Sequence, residues 1–252
     1  MHRLRTTIRR LETLLSHAGP KPGKKQQKAL DELRVLRKRA GRVRDLDIQI
    51  GLLGSIGNGS ASADRRVLAE ALKRKRARQV GRLAAASKDL EGSKLFSRLA
   101  RIMEKSAAGH LEDSAAPLHR VRRELSQLAK DFSSRPILKP ARLHELRIKL
   151  KLLRYQAELA AESPEQKDLI EELKSVQDSI GEWHDWEMLA ESAEKQFGDR
   201  INCALLLEIR SLFAARYSAA SFAAANLLTT YGSVAKKDPS PVQPSLAIVR
   251  RA

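Results

Sequence analysis

Two stretches of this chain repeat each other at a nearly constant distance, and nothing else in it constrains the fold as much. Residues 144–155 read HELRIKLKLLRY, and residues 2–13, 142 positions earlier, read HRLRTTIRRLET. A second pair aligns without gaps at a separation of 140: LRKRAGRVRDLDI at 36–48 and VQDSIGEWHDWEM at 176–188. It matches Gly41 to Gly181, Asp45 to Asp185 and Asp47 to Glu187. Two motifs kept in order at one spacing mark a duplication, so each half should fold into a similar unit.

The period of the apolar residues says what that unit is. Leu4, Ile8, Leu11 and Leu15 form one helical stripe, and Leu143, Leu146, Leu150 and Leu153 another. Aromatic residues make up only 4% of the chain, which leaves few strand formers among abundant Ala, Leu, Arg, Lys and Glu. Breakers near residues 20, 57, 91, 137 and 163 cut each half into about four helices. The expected fold is all-α: two antiparallel four-helix bundles related by an internal pseudo-twofold axis. The 252 residues suffice for one domain over 1–235, its first half about 1–135 and its second about 140–235. Residues 236–252, polar and Pro-rich, are predicted to be a disordered tail.

Charge is distributed unevenly. The net charge is +18, but residues 1–154 hold 38 Lys and Arg against 15 Asp and Glu, while residues 155–252 hold 10 against 15. A field so concentrated repels itself unless a polyanion collects it. The single Cys203 excludes an internal disulfide and points to a reducing compartment. The charged start MHRLRTTIRR does not read as a secretory signal, and no apolar run approaches the roughly 20 residues of a membrane span. A soluble, cytoplasmic protein without a membrane partner is expected.

On a helix, His144, Arg147, Lys151 and Arg154 fall on one face at steps of three, four and three, about 100° from the leucine stripe. His2, Arg5 and Arg9 take the same steps, with Arg10 beside them. Glu145 lies off the row, so no carboxylate of the same helix is expected to neutralise it. Arg predominates in the rows, and its planar fork holds two phosphate oxygens at once. Cations about one turn apart suit a linear phosphate polymer lying along the helix. The second motif adds Arg34, Arg37 and Arg44 on one face, and the basic run at 73–82 adds Lys75, Arg78 and Arg82. LHRVRREL at 118–125 imitates the first motif, but Ser126 stands where its third cation should be.

Gly41 and Gly181, costly inside a helix, suggest a close helix crossing or an anion resting on backbone. The acidic residues beside them are read as orienting Arg side chains. No metal site or cofactor is expected: there is no HExxH, no His pair at i, i+4 and no cysteine pair. Nor is there a phosphate loop, a nucleophile elbow or a tuned carboxylate pair, so binding is favoured over catalysis. Nucleic acid is the alternative partner, weak and nonspecific because stacking aromatics are few. A metal-dependent phosphohydrolase using Asp45, Asp47, Asp185 and Glu187 is a more distant alternative.

HRLRTTIRRLETLL followed by RAGRVRDLDI, and HELRIKLKLLRY followed by SIGEWHDWEM, resemble the paired signatures of the CHAD domain, the conserved histidine α-helical domain. The resemblance covers residues 2 to about 230. It implies two four-helix bundles with twofold pseudosymmetry, a basic central surface, binding of inorganic polyphosphate and, in some members, association with polyphosphate granules. Carried over by position, His2, Arg5, Arg9 and Arg10 take the first basic positions. His144, Arg147, Lys151 and Arg154 take the second, and Arg44 precedes the acidic pair. Glu12 stands where the second copy has Arg154, Leu152 where the first has Arg10, and His184 where the first has Arg44. The two halves should therefore contribute unequally.

Overall fold

The computed structural model describes residues 23–57, 62–91, 97–100, 118–132, 139–198 and 202–234, with Ile8, Glu12, Leu95 and Arg200. The proposed tail and most of the first basic motif lie outside the described residues. Six long helices dominate: α1 Lys24–Ser55, α2 Ser62–Glu91, α3 Leu118–Phe132, α4 Pro140–Glu158, α5 Pro164–Phe197 and α6 Ala204–Val234. No strand occurs among the described residues, so the fold is all-α as expected. No described helix is long and apolar enough to cross a membrane.

The breakers act where the sequence puts them. Pro140 and Pro164 open α4 and α5 in their first turns, where a missing N–H costs nothing. Ser163 caps α5 by accepting from the Gln166 backbone N–H at 3.1 Å. The turn before α6 passes through Asn202 in the left-handed region, φ 64°, which Asn tolerates better than most residues.

Helices α3 to α6 enclose one core. Leu143, Leu146 and Leu150 from α4 meet Leu169, Leu173, Ile180 and Trp183 from α5, Val121, Leu125 and Phe132 from α3, and Ala220, Ala224 and Leu227 from α6. In the first half Ile8, Ala29, Leu33 and Leu95 form a smaller cluster, with Ala40, Val43 and Leu83 beyond it. A further core draws on helices from both ends of the described chain. It takes Leu46, Leu53 and Ile56 from α1, Leu68 and Leu72 from α2, Trp186, Leu189, Ala193 and Phe197 from α5, and Leu205, Leu206 and Ile209 from α6.

The long helices α1 and α5 therefore serve two cores each, and their sequences show how. In α5 the buried residues Ile180, Trp183, Trp186 and Leu189 advance in steps of three. In α1 Ala40, Val43, Leu46 and Gln49 do the same. Each step falls about 60° short of a full turn, so the buried stripe walks round the helix from one core to the other. Ser192 donates to Gln49 Oε1 at 2.7 Å and ties the two helices where they cross into that core. Positions 44–45 and 184–185 lie where the stripe rotates.

Candidate functional site

In α4 the leucine stripe is buried, and the row His144, Arg147, Lys151 and Arg154 is partly buried on the adjacent face. The cations off the row are used differently. Arg142 lies over the Phe132 ring at 4.0 Å and Lys149 at 5.3 Å, while Glu145 pairs with Arg142 at 3.2 Å and with Lys149 at 2.9 Å. These residues fasten α4 to α3.

The row itself faces α5. Arg147 reaches Gly181, where an added Cβ would stand 3.9 Å from Nη2. That is ordinary contact, so the glycine accommodates a guanidinium, and no tight backbone crossing requires it here. Arg154 Nε donates to Gln177 Oε1 at 3.1 Å, and Gln177 in turn donates to the Leu150 carbonyl at 2.9 Å. Arg154 also pairs with Glu158 at 2.7 Å. The row is therefore not without carboxylates on its own helix: Glu158, one turn beyond Arg154, corrects that expectation.

His144 and His184 stand ring to ring, with centroids 5.2 Å apart at an angle of 59°. His184 donates through Nδ1 to Glu187 Oε2 at 2.9 Å. Burial, with His184 and Arg147 adding to it, holds the His144 pKa below the usual imidazole value, and Glu187 opposes this. Beside the pair, burial pushes the Asp185 carboxyl up, against the pull of Arg44, Arg147 and His184. Arg44 comes from the first copy of the motifs and Arg147 from the second, so one partly buried carboxylate feels cations from both.

Elsewhere the basic positions are more dispersed. Arg44 lies 3.7 Å from the neighbouring Asp45, and Arg34, exposed, pairs with Asp31 at 2.9 Å on its own helix. Arg37 pairs with Glu12 at 3.0 Å. Lys75, Arg78 and Arg82 are exposed on α2 and take part in no ion pair among the described residues. Asp47 accepts from Arg76 and joins α1 to α2. His2, Arg5, Arg9 and Arg10 lie outside the described residues. No group of three His, Cys, Asp or Glu side chains among the described residues is arranged to hold a metal ion.

A family model described as the CHAD domain matches residues 1–194. The chain belongs to the CHAD domain family. No curated protein matches it. The match ends within α5, short of the resemblance read to about residue 230, yet α6 completes both the core enclosed by α3 to α6 and the central core of this CHAD chain. Beyond the expected residues, the site includes His184, Asp185, Gln177 and Glu158. The repeat could have supplied the first three, since they stand opposite Arg44, Asp45 and Arg37; Glu158 follows from its i, i+4 spacing to Arg154.

Proposed function

We propose that this CHAD domain is a non-catalytic binder of inorganic polyphosphate, which lies against Arg, Lys and His side chains from two bundles related by an internal pseudo-twofold axis. The observation that carries this reading is that Arg44, from the first copy of the second motif, and Arg147, from the second copy of the first, both act on Asp185. Membership in a family commonly linked to polyphosphate supports it. The pseudo-twofold relation has two supports of its own. The starts of α1 and α5 are 140 residues apart and those of α2 and α6 are 142 apart, matching the motif offsets. Moreover, Glu12–Arg37 and Arg154–Gln177 are corresponding pairs that make corresponding contacts with their chemistry exchanged. Asp45, Asp47, Asp185 and Glu187, the carboxylates a hydrolase would need for metal, are engaged with Arg44, Arg76 and His184 instead.

The test is a titration with long-chain polyphosphate at two salt concentrations. Affinity should fall steeply with salt as the polymer's condensed counterions are released, by analogy with nucleic acids. Arg147→Glu combined with Lys151→Glu should weaken binding at least ~10-fold while circular dichroism stays unchanged, since each lost charge-assisted contact is worth about 1.5 kcal/mol or more. Affinity indifferent to salt and to the charge reversal would refute the proposal. Displacement of polyphosphate by duplex DNA at equal phosphate concentration would favour the nucleic-acid alternative. Phosphate release above background with a divalent cation would favour the enzyme.

A further inference from the structure

We infer that His144 and His184 together form a proton-linked seat for one phosphoryl group of the polyanion: the pair takes up a proton as the phosphate enters and gives it back as it leaves. This rests on the polyphosphate reading and assigns His184 a binding role in it.

The chemistry follows from one hydrogen bond. A carboxylate only accepts, so the 2.9 Å contact between His184 Nδ1 and Glu187 Oε2 places a proton on Nδ1. The neutral ring then carries a lone pair on Nε2. A lone pair repels a phosphate oxygen, and only the imidazolium presents N–H groups from both nitrogens. With the ring centroids 5.2 Å apart, charging either ring opposes charging the other.

The groups facing the pair set its resting state. On α4 these are Arg147 and Lys151; on α5, Asp185 and Glu187; and Arg44 and Asp45 of α1 reach it across Asp185. The cations disfavour a further positive charge, and His144, partly buried among them, is held below the ordinary imidazole range. An entering phosphate reverses that balance. Internal units of a polyphosphate chain are already fully ionised near neutral pH, so the proton must settle on the protein. The repeat supplies the contrast. Arg44 occupies the position of His184 in the first copy, so its charge is permanent while that of the second copy is conditional.

Linkage makes the effect reciprocal: whatever proton uptake accompanies binding must appear as tighter binding at lower pH. Calorimetric titration of long-chain polyphosphate in two buffers of different ionisation enthalpy, at pH 7.5 and fixed ionic strength, counts the protons. The expected result is uptake of about one proton per bound seat and affinity on the order of 20-fold or more tighter at pH 6 than at pH 8. His184→Arg should bind at pH 8 with uptake abolished. His184→Gln should also lose the uptake, and His119→Gln on α3 should keep it. Wild-type binding without buffer-dependent heat, or unchanged uptake in His184→Arg, overturns the seat and leaves polyphosphate binding standing. No binding at any pH overturns both.

Discussion

At the scale of single residues, several of the site's cations, Arg34, Arg37, Arg44 and Arg154, are already held by carboxylates, and a ligand must compete with those. Arg154 is the clearest case: Glu158 holds it at 2.7 Å with both side chains about one-fifth exposed. A pair at this spacing on a helix contributes on the order of 0.5 kcal/mol, well below the worth of a charge-assisted bond to phosphate. The polyanion should therefore win Arg154 at a small cost. Glu158→Gln removes that cost and should tighten polyphosphate binding about two- to threefold, read from the same titration, with thermal stability changed by less than about 1 kcal/mol. Weaker binding in this variant would mean that Glu158 orients Arg154 for the ligand. Asp185 behaves differently because it is partly buried. Its raised pKa means that the folded protein holds a proton there more readily than the unfolded chain does. Its contribution to stability is therefore fullest below the ordinary Asp range and is lost as pH rises through the folded value. His144 runs the other way. The unfolded chain takes its proton first, so stability falls as pH drops below about 6.5.

At the scale of elements, the glycine inside α5 offers a sharp test. Gly181 costs roughly 1 kcal/mol of helix propensity relative to Ala, and a methyl there would meet only the Arg147 guanidinium at ordinary distance. Gly181→Ala should therefore raise stability in denaturant unfolding by up to about 1 kcal/mol, and any loss of polyphosphate affinity in it would place the anion against this turn. The helices themselves were legible from leucine spacing and from Pro and Gly breakers. So was the row on α4, because His144, Arg147 and Lys151 keep their steps on a face that the structure leaves beside the core. What the sequence hid was partnership between helices. Nothing in the one-dimensional order announces that Arg37 meets Glu12, or that Gln177 receives Arg154. The partial burial of Asp185 was equally hidden, since a short acidic residue inside a charged motif reads as solvent-facing until the neighbouring helix is in place. The rotation of the buried stripe was present in the three-residue steps, but a search for one fixed period passes over it.

At the scale of the whole molecule, the central core decides whether the halves behave as one body. Leu189, fully buried there, packs among residues from both the earlier helices α1 and α2 and the later helix α6. Leu189→Ala should cost about 2 to 5 kcal/mol, and unfolding followed by circular dichroism and by tryptophan fluorescence should shift together as a single transition. Two separated transitions would mean that the helices on either side of this core unfold independently. The shared core has a further consequence for how any long ligand is met. A helix anchored through Leu173 in one core and Leu189, sixteen positions on, in another cannot slide along its axis, because that separation fixes a span of about 24 Å. Side chains mounted along that span stand at set heights, like teeth on a rack. The supple partner in such an encounter must be the polymer, which bends to the spacing it finds.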